Sequence, residues 1–331
     1  MESTQISKET GTTRNFWIDI LKIISIIMVI FFHTTDAIKF TNIAVPIFLV
    51  ITGFNLAQSI TIRGHESFKT YYSPAVLWKR INRFLLPYLI FVICEIIALA
   101  CENRLSFSML ANFILGGYGP GSYYTPLVFQ ILLFFPFIFY LLKRHKSCIF
   151  LFFFISFGFE VFVNLFLPQT NLVIQIYRIG IFRQIFYIAS GCYMFLYNGK
   201  LEDIAAIIFA IIGATYYILF AAGLYTPIIF KLWIGTTIPF GLLAIAIVYL
   251  CAAKKPLHLD FKSARIFSNA TYHIFLVQQI YYWLISNHDV YLAVINILVC
   301  CVIGILFYMA EHIIIKTIKN HKPKIEPTTN L

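Results

Sequence analysis

Residues 17–35 read WIDILKIISIIMVIFFHTT, a nearly unbroken apolar run that contains three ionisable side chains. Its length matches the ~20 residues that a helix needs to cross a hydrocarbon layer of ~30 Å. Lipid offers no hydrogen-bond partner to a peptide group, so a spanning segment is expected to be an α-helix, whose backbone bonds are internal. The segment therefore predicts a transmembrane helix.

Similar apolar segments follow along almost the whole chain. Of its 331 residues, 60% are hydrophobic and only 12% are charged, whereas a typical soluble domain is about 25% charged. We therefore predict an all-α, polytopic integral membrane protein with about ten transmembrane helices in a single membrane domain over residues 1–331. The predicted spans are 17–35, 43–62, 82–101, 124–142, 148–167, 180–198, 204–223, 232–252, 267–287 and 290–315.

The lysines and arginines are distributed unevenly between the two sides of the predicted bundle. If the N-terminus is cytoplasmic, most of the 25 basic residues fall on the cytoplasmic side. The positive-inside rule then predicts that both terminal segments, 1–15 and 316–331, are cytoplasmic. Basic loops that face anionic headgroups also account for the net charge of +11, without nucleic acid as a partner.

Several functional classes lack their usual sequence signatures here. The seven cysteines form no C-x-x-C pair, so neither a disulfide framework nor a metal site is predicted. No P-loop, G-x-S-x-G or H-E-x-x-H motif is found. No small-residue cleavage site follows the first apolar run, which is therefore expected to remain as a helix rather than to be removed as a signal peptide.

The first span carries Asp19, Lys22 and His33, and a polar group within a membrane span is costly. The eleven steps from Lys22 to His33 return within ~20° of the same helix face and rise ~16 Å. Asp19 lies one turn from Lys22, near enough to pair with it. Because histidine exchanges a proton near neutrality, His33 is a candidate general base. In the alternative interpretation, Asp19 and Lys22 anchor the helix at the interface and His33 caps its outer end.

Five motifs occur in one order across the chain, and together they resemble the membrane-bound acyltransferase family 3, which O-acylates bacterial surface glycans. The first is the spacing of Lys22 and His33, similar to the family's R/K-x10-H signature. The others are VPIFLVITGF at 45–54, KRINRFLLPY at 79–88, SYYTP at 122–126 and SNATYHIFL at 268–276.

The chain departs from the family's usual pattern at four positions. Tyr123 and Tyr124 replace a Trp-Phe pair, Thr52 replaces a serine, and Gln278 stands where many members have a histidine. We count these four side chains as candidate supporting or acceptor-side residues. The form Tyr-Tyr-x-Pro-(x)3-Gln, which ends at Gln130, resembles the branch that acts on exopolysaccharides.

The resemblance implies an acyl-CoA donor, usually acetyl-CoA, and a glycan hydroxyl as acceptor, with no permanently bound cofactor. It also implies a bacterial cytoplasmic membrane. Some members carry an extracytoplasmic domain that completes transfer, so this chain is expected either to act alone or to need a partner protein. Catalytic roles are expected for His33, Lys22 and Asp19.

Four residues are candidates for binding the donor. Arg80 and Arg83, at the cytoplasmic start of the third span, suit the phosphates of coenzyme A, although they also suit positive-inside anchors. Asn269 and Tyr272, at the predicted start of the ninth span, are placed to contact the donor or to cap that helix.

Four further polar residues have weaker claims to a function. Glu95 and Glu160 lie in mid-span, where either one would orient His33 or form a packing bond between helices. Arg178 and Arg183, on the outer side, would bind an acidic glycan, an oxyanion or lipid phosphates.

Two other functions remain open at this point. A transporter or exporter of polysaccharide or small solutes would also use buried ionisable residues along a path. A purely structural membrane subunit would leave the polar face of the first span unexplained.

Overall fold

The structure is a computed structural model that describes residues 14–34, 39–65, 67–107, 110–225, 236–254, 256–285 and 290–320. These residues form thirteen α-helices and no strand. The helices are α1 (Phe16–Thr34), α2 (Ala44–Ile62), α3 (Phe68–Tyr71), α4 (Pro74–Cys101), α5 (Leu110–Ile114), α6 (Tyr124–Arg144), α7 (Cys148–Phe166), α8 (Asn171–Ile179), α9 (Ile181–Leu196), α10 (Lys200–Ala221), α11 (Ile238–Val248), α12 (Lys262–Leu284) and α13 (Ala293–Asn320).

Within the described ranges, eight helical segments are long and apolar enough to cross a membrane. They are α1, α2, α4, α6, α7, α10, α13 and the pair α8–α9. The chain is therefore an all-α polytopic membrane protein. The two remaining predicted spans differ from the expectation: α11 with its following π-helical turn, Ile238–Lys254, is shorter, and α12 is long but rich in polar residues.

Three helices, α4, α10 and α12, begin four or more residues earlier than the apolar pattern predicts. Helix α4 starts at Pro74 instead of residue 82, and α12 starts at Lys262 instead of residue 267. Charged residues mark the limit of the hydrocarbon, yet lysine and arginine are good helix formers, so a helix continues beyond that limit. Pro74 suits the first turn of a helix because proline has no N–H to leave unpaired there.

The segment predicted at 232–252 contains Gly235, Pro239 and Gly241, which are potential helix breakers. Gly235 lies outside the described residues. Pro239 lies in the first turn of α11, where it does not interrupt the helix. A β-carbon at Gly241 would lie 1.9 Å from Cε1 of Tyr187, so glycine here allows α11 to pack on α9.

Hydrogen bonds at both ends of the bundle fix the directions of α1 and α12. Arg14 donates to Asn269 Oδ1 at 3.3 Å near the beginning of both helices, and the Tyr282 hydroxyl donates to Ile30 O at 2.9 Å near their ends. We call the end where α1, α4 and α12 begin the basic end, because Arg14, Arg63, Lys79, Arg83 and Arg265 lie there, and we call the other the opposite end. Which end faces the cytoplasm stays a prediction from charge.

The apolar core consists of two clusters. One is built mainly from α2, α6, α7, α9 and α11, and the other from α1, α4, α12 and α13. Helices α2 and α9 make the most extensive contact between any two helices. In contrast, α10 is mostly exposed, as are phenylalanines of α7 such as Phe150 and Phe154. The second cluster thus packs around α1, which carries Lys22 and His33.

Helices α2 and α9 approach each other through a pair of glycines. A β-carbon at Gly53 would lie 2.0 Å from Ile188 O, and one at Gly191 would lie 1.9 Å from Val50 O. Membrane helices gain no hydrophobic energy from leaving lipid, so close backbone packing of this kind is a principal source of their association.

Replacing Gly53 by alanine is expected to destabilise the protein by about 2 kcal/mol, because overpacked sites cost about 1–3 kcal/mol. The matched control is Gly158→Ala in α7, since nothing lies within 4 Å of a β-carbon built there. Unfolding of the purified protein in mixed detergent micelles measures both. Equal stability of the two variants would contradict the close approach of α2 and α9.

Candidate active site

One large cavity of about 1240 Å³ runs between the two core clusters. Its wall extends from Arg63, Trp78 and Lys79 at the basic end to His33 and Asn42 at the opposite end. Side chains of α1, α2, α4, α6, α12 and α13 all contribute. Nine predicted site residues line this cavity: Lys22, His33, Thr52, Arg80, Arg83, Tyr123, Tyr124, Asn269 and Tyr272.

The opposite end of the cavity holds His33, in the last turn of α1. Its ring centroid lies 6.0 Å from that of Tyr282 on α12. The Tyr282 hydroxyl is hydrogen-bonded to Thr34, the residue after His33, and it donates to Ile30 O. Tyr282 therefore ties the end of α1 to α12 and holds the backbone that carries His33.

Asp19 does not pair with Lys22 as predicted. It accepts two hydrogen bonds from Arg14, from Nε at 2.5 Å and from Nη2 at 2.6 Å. A bidentate guanidinium–carboxylate pair is stronger and more directional than a contact with an ammonium group. Lys22 lines the cavity instead, and no described carboxylate lies within 4 Å of it. Asp19 is outside the cavity wall.

Arg80 is the most unusual cation of the site. Its side chain is 92% buried, and none of its guanidinium nitrogens has a hydrogen-bond partner among the described residues. Its guanidinium carbon lies 4.2 Å from the ring centroid of Tyr71. Burial raises the pKa of Tyr71 to about 12, although the charge of Arg80 opposes that shift. Tyr71 is therefore neutral at physiological pH and leaves the Arg80 charge uncompensated.

Aromatic side chains of α2, α6 and α12 line the cavity. Tyr124 packs against Phe48 of α2 and Phe275 of α12, with ring centroids 6.5 Å and 5.0 Å away. The Tyr272 hydroxyl is hydrogen-bonded to Thr125 at 3.2 Å. Thr52 donates to Phe48 O at 2.7 Å, within its own helix. The cavity wall is therefore partly aromatic between its two ends.

Asn269 and Tyr272 lie seven and ten residues after Lys262, the first residue of α12, so neither caps the helix as the sequence had allowed. Asn269 accepts from Arg14 at 3.3 Å and so connects α12 to the Arg14–Asp19 pair. Both residues line the cavity. Neither residue therefore caps α12, and both are placed to contact a ligand in the cavity.

A buried histidine–glutamate pair was missed by the sequence analysis. Nε2 of His273 on α12 lies 2.5 Å from Oε2 of Glu311 on α13, and both residues line the basic half of the cavity. Nδ1 of His273 is buried without a partner. Glu311 is the only acidic residue in the predicted span 290–315. A lone carboxylate in a membrane span indicates a buried partner, and this was the sequence feature from which the pair could have been suspected.

Glu95 is hydrogen-bonded to a loop rather than to His33, and Gln278 is hydrogen-bonded to the same loop. Glu95 accepts from the backbone N–H of Tyr118 at 2.8 Å, and Gln278 donates to Pro120 O at 3.0 Å. The loop, 115–123, contains four glycines with φ between 82° and 111°, a region that other residues rarely adopt. Neither Glu95 nor Gln278 lines the cavity. Their contacts explain why two buried polar side chains occur here.

Glu160 and Arg183 form a second buried pair, away from the cavity wall. Nε of Arg183 lies 3.6 Å from Oε1 of Glu160, and the guanidinium also contacts Thr236 and the Tyr177 ring. Arg178 lies over the ring of Tyr123, 5.6 Å from its centroid. None of the three charged residues lines the cavity, although Tyr123 and Thr236 do.

The described bundle and its cavity, with cations at one end and a histidine at the other, define a polytopic membrane protein with a large internal cavity. The model of the acyltransferase 3 family, described as an acyltransferase domain, matches residues 15–310. The chain therefore belongs to this family and is a membrane acyltransferase, so the resemblance in the five motifs is confirmed. Comparison with curated proteins and with solved structures gave no significant match.

The pairing of Asp19 is testable with double-mutant cycles. We expect a coupling free energy of about 1 kcal/mol between Asp19→Asn and Arg14→Gln, because the pair is only partly buried. The matched cycle with Lys22→Gln should give a smaller coupling, because Asp19 attracts Lys22 only through a longer-range charge interaction. Unfolding in mixed micelles measures both cycles, and stronger coupling to Lys22 would contradict the observed pairing.

Proposed function

We propose that this protein transfers an acyl group, most simply acetyl, from acyl-CoA to a hydroxyl of a cell-envelope or exported polysaccharide. The observation that carries the proposal is one large cavity with a buried Arg80 toward one end and His33 at the other, where the Arg80 guanidinium has no hydrogen-bond partner among the described residues. A buried guanidinium without hydrogen-bond partners is costly unless an anion completes it. Membership of an acyltransferase family makes the phosphates of coenzyme A the natural anion.

The dimensions of the cavity support this donor. Arg83 lies close enough to Lys22 for their charges to repel, so a phosphate between them would reduce that repulsion. From Lys22 to His33 the helix rises about 16 Å. The extended chain from the phosphate ester oxygen to the sulfur of coenzyme A spans about 15 Å. A donor with its phosphates near Arg83 would therefore present its thioester close to His33.

The proposed reaction assigns His33 as the general base. The imidazole accepts the proton of the acceptor hydroxyl while that oxygen attacks the thioester carbonyl carbon. The bond between carbon and sulfur then breaks, and the thiolate of coenzyme A takes the proton from the imidazolium. The acyl ester and the free thiol are the products, and no permanently bound cofactor is required.

The charge distribution supports an orientation for this reaction. The basic end would face the cytoplasm, where acyl-CoA is made, and His33 would lie toward the outer side of a bacterial cytoplasmic membrane. Both described chain ends would then be cytoplasmic. An acceptor glycan would reach His33 from outside, past Asn42 and Thr236, with or without a partner protein to complete its delivery.

The direct test is release of free thiol from acetyl-CoA by protein in lipid vesicles with a bacterial glycan extract. His33→Ala should lower acceptor-dependent release at least about 100-fold, since a general base contributes about 10²–10⁴-fold. The matched control is His145→Ala, because His145 is exposed and lies outside the cavity wall. Wild-type protein that moves glycan or solute across the vesicle without releasing thiol would instead establish a transporter.

A further inference from the structure

Trp78 lies at the basic end of the cavity, and its indole ring is available to contact a ligand. It lies near the beginning of α4, is 60% exposed, and lines the wall together with Arg63 and Lys79. No described ring or cation packs against its indole. A tryptophan at a membrane surface often serves as an interfacial anchor, but an anchor need not line a cavity.

Asn82 lies one helical turn after Trp78 and also lines the cavity at its basic end. Positions i and i+4 share a helix face, so the Asn82 amide is placed beside the Trp78 ring. Its amide has no hydrogen-bond partner among the described residues. A planar ring next to a free carboxamide is the combination that recognises adenine, since every base stacks on an aromatic face and an Asn amide bonds the adenine N6 and N7 positions.

The order of groups along the wall follows the order of groups in an acyl-CoA. His33 would meet the thioester, and the Lys22–Arg83 region would meet the phosphates. Trp78 precedes Arg83 by five residues in α4, which places it about 7.5 Å closer to the basic end. The ribose that links phosphate to base has a comparable length. With the phosphates near Lys22 and Arg83, the adenine base of the donor would therefore lie at Trp78.

We propose that Trp78 and Asn82 form the adenine subsite for the donor, which rests on the proposed function. Stacking on Trp78 supplies affinity, and the Asn82 amide supplies selectivity for the edge of the base. No bond is made or broken at this subsite. Its contribution is to the binding of the nucleotide half of the donor.

The test compares two donors, acetyl-CoA and S-acetyl-4′-phosphopantetheine, which lacks the 3′-phosphoadenylyl half of the molecule. Trp78→Ala should lower the ratio of their kcat/KM values about tenfold, while Trp78→Phe should retain most of it. Trp17→Ala is the matched control, because Trp17 lies in the first turn of α1 at the same end but does not line the cavity. A ratio cancels any loss of folded protein, so a Trp78→Ala variant with the wild-type ratio would overturn the subsite.

The role of Asn82 is tested with acetyl-1,N6-etheno-CoA, in which the N6 edge of adenine is blocked. Asn82→Ala should reduce the preference for acetyl-CoA over this analogue at least about fivefold, and an unchanged preference would overturn the assignment.

Binding of adenosine 3′,5′-bisphosphate provides a measurement without an acceptor. Its Kd should weaken about tenfold in Trp78→Ala. Wild-type protein that binds this nucleotide but releases no thiol would refute the proposed function alone. Active wild-type protein whose Trp78→Ala variant binds the nucleotide normally would refute the subsite alone.

Discussion

The structure depends on one constraint: a charge within a membrane bundle must be paired or must face a polar cavity. A charged side chain at the centre of a spanning helix costs about 2.5–3.5 kcal/mol on insertion scales. In three of the ion pairs among the described residues the carboxylate is buried, namely Arg14–Asp19, Arg183–Glu160 and His273–Glu311. Lys22 and Arg80 have no described acidic partner within 4 Å, and both line the cavity. The cavity thus contains two cationic side chains that no described acidic residue neutralises.

Helix packing explains how a bundle of this size keeps so large a cavity. The contact of α2 with α9 brings two backbones together at Gly53 and Gly191 and forms a rigid wall. The second cluster packs around α1, α4, α12 and α13, and Gly304 allows α13 to approach Ile274 of α12 closely. With both clusters tightly packed, the space between them remains open for a ligand.

The apolar pattern was enough to predict an all-helical membrane protein. The spacing of Lys22 and His33 predicted one shared helix face, and the structure has both side chains lining the cavity. Helix starts were less predictable, because a helix that leaves the membrane continues through residues such as Lys79. The predicted ion pair of Asp19 with Lys22 was wrong, because Asp19 pairs with Arg14. Sequence spacing alone does not show which of two nearby cations a carboxylate binds. The His273–Glu311 pair joins α12 to α13 across 38 residues, a distance over which one sequence contains no pairing information.

The most direct measurement of the central claim is an experimental structure of the protein in lipid nanodiscs with coenzyme A bound. The account predicts that the phosphates contact Arg80 and Arg83 and that the sulfur lies within about 4 Å of the His33 ring, near the distance at which reacting groups meet. A coenzyme A bound outside the cavity, or one whose thiol points away from His33, would contradict it.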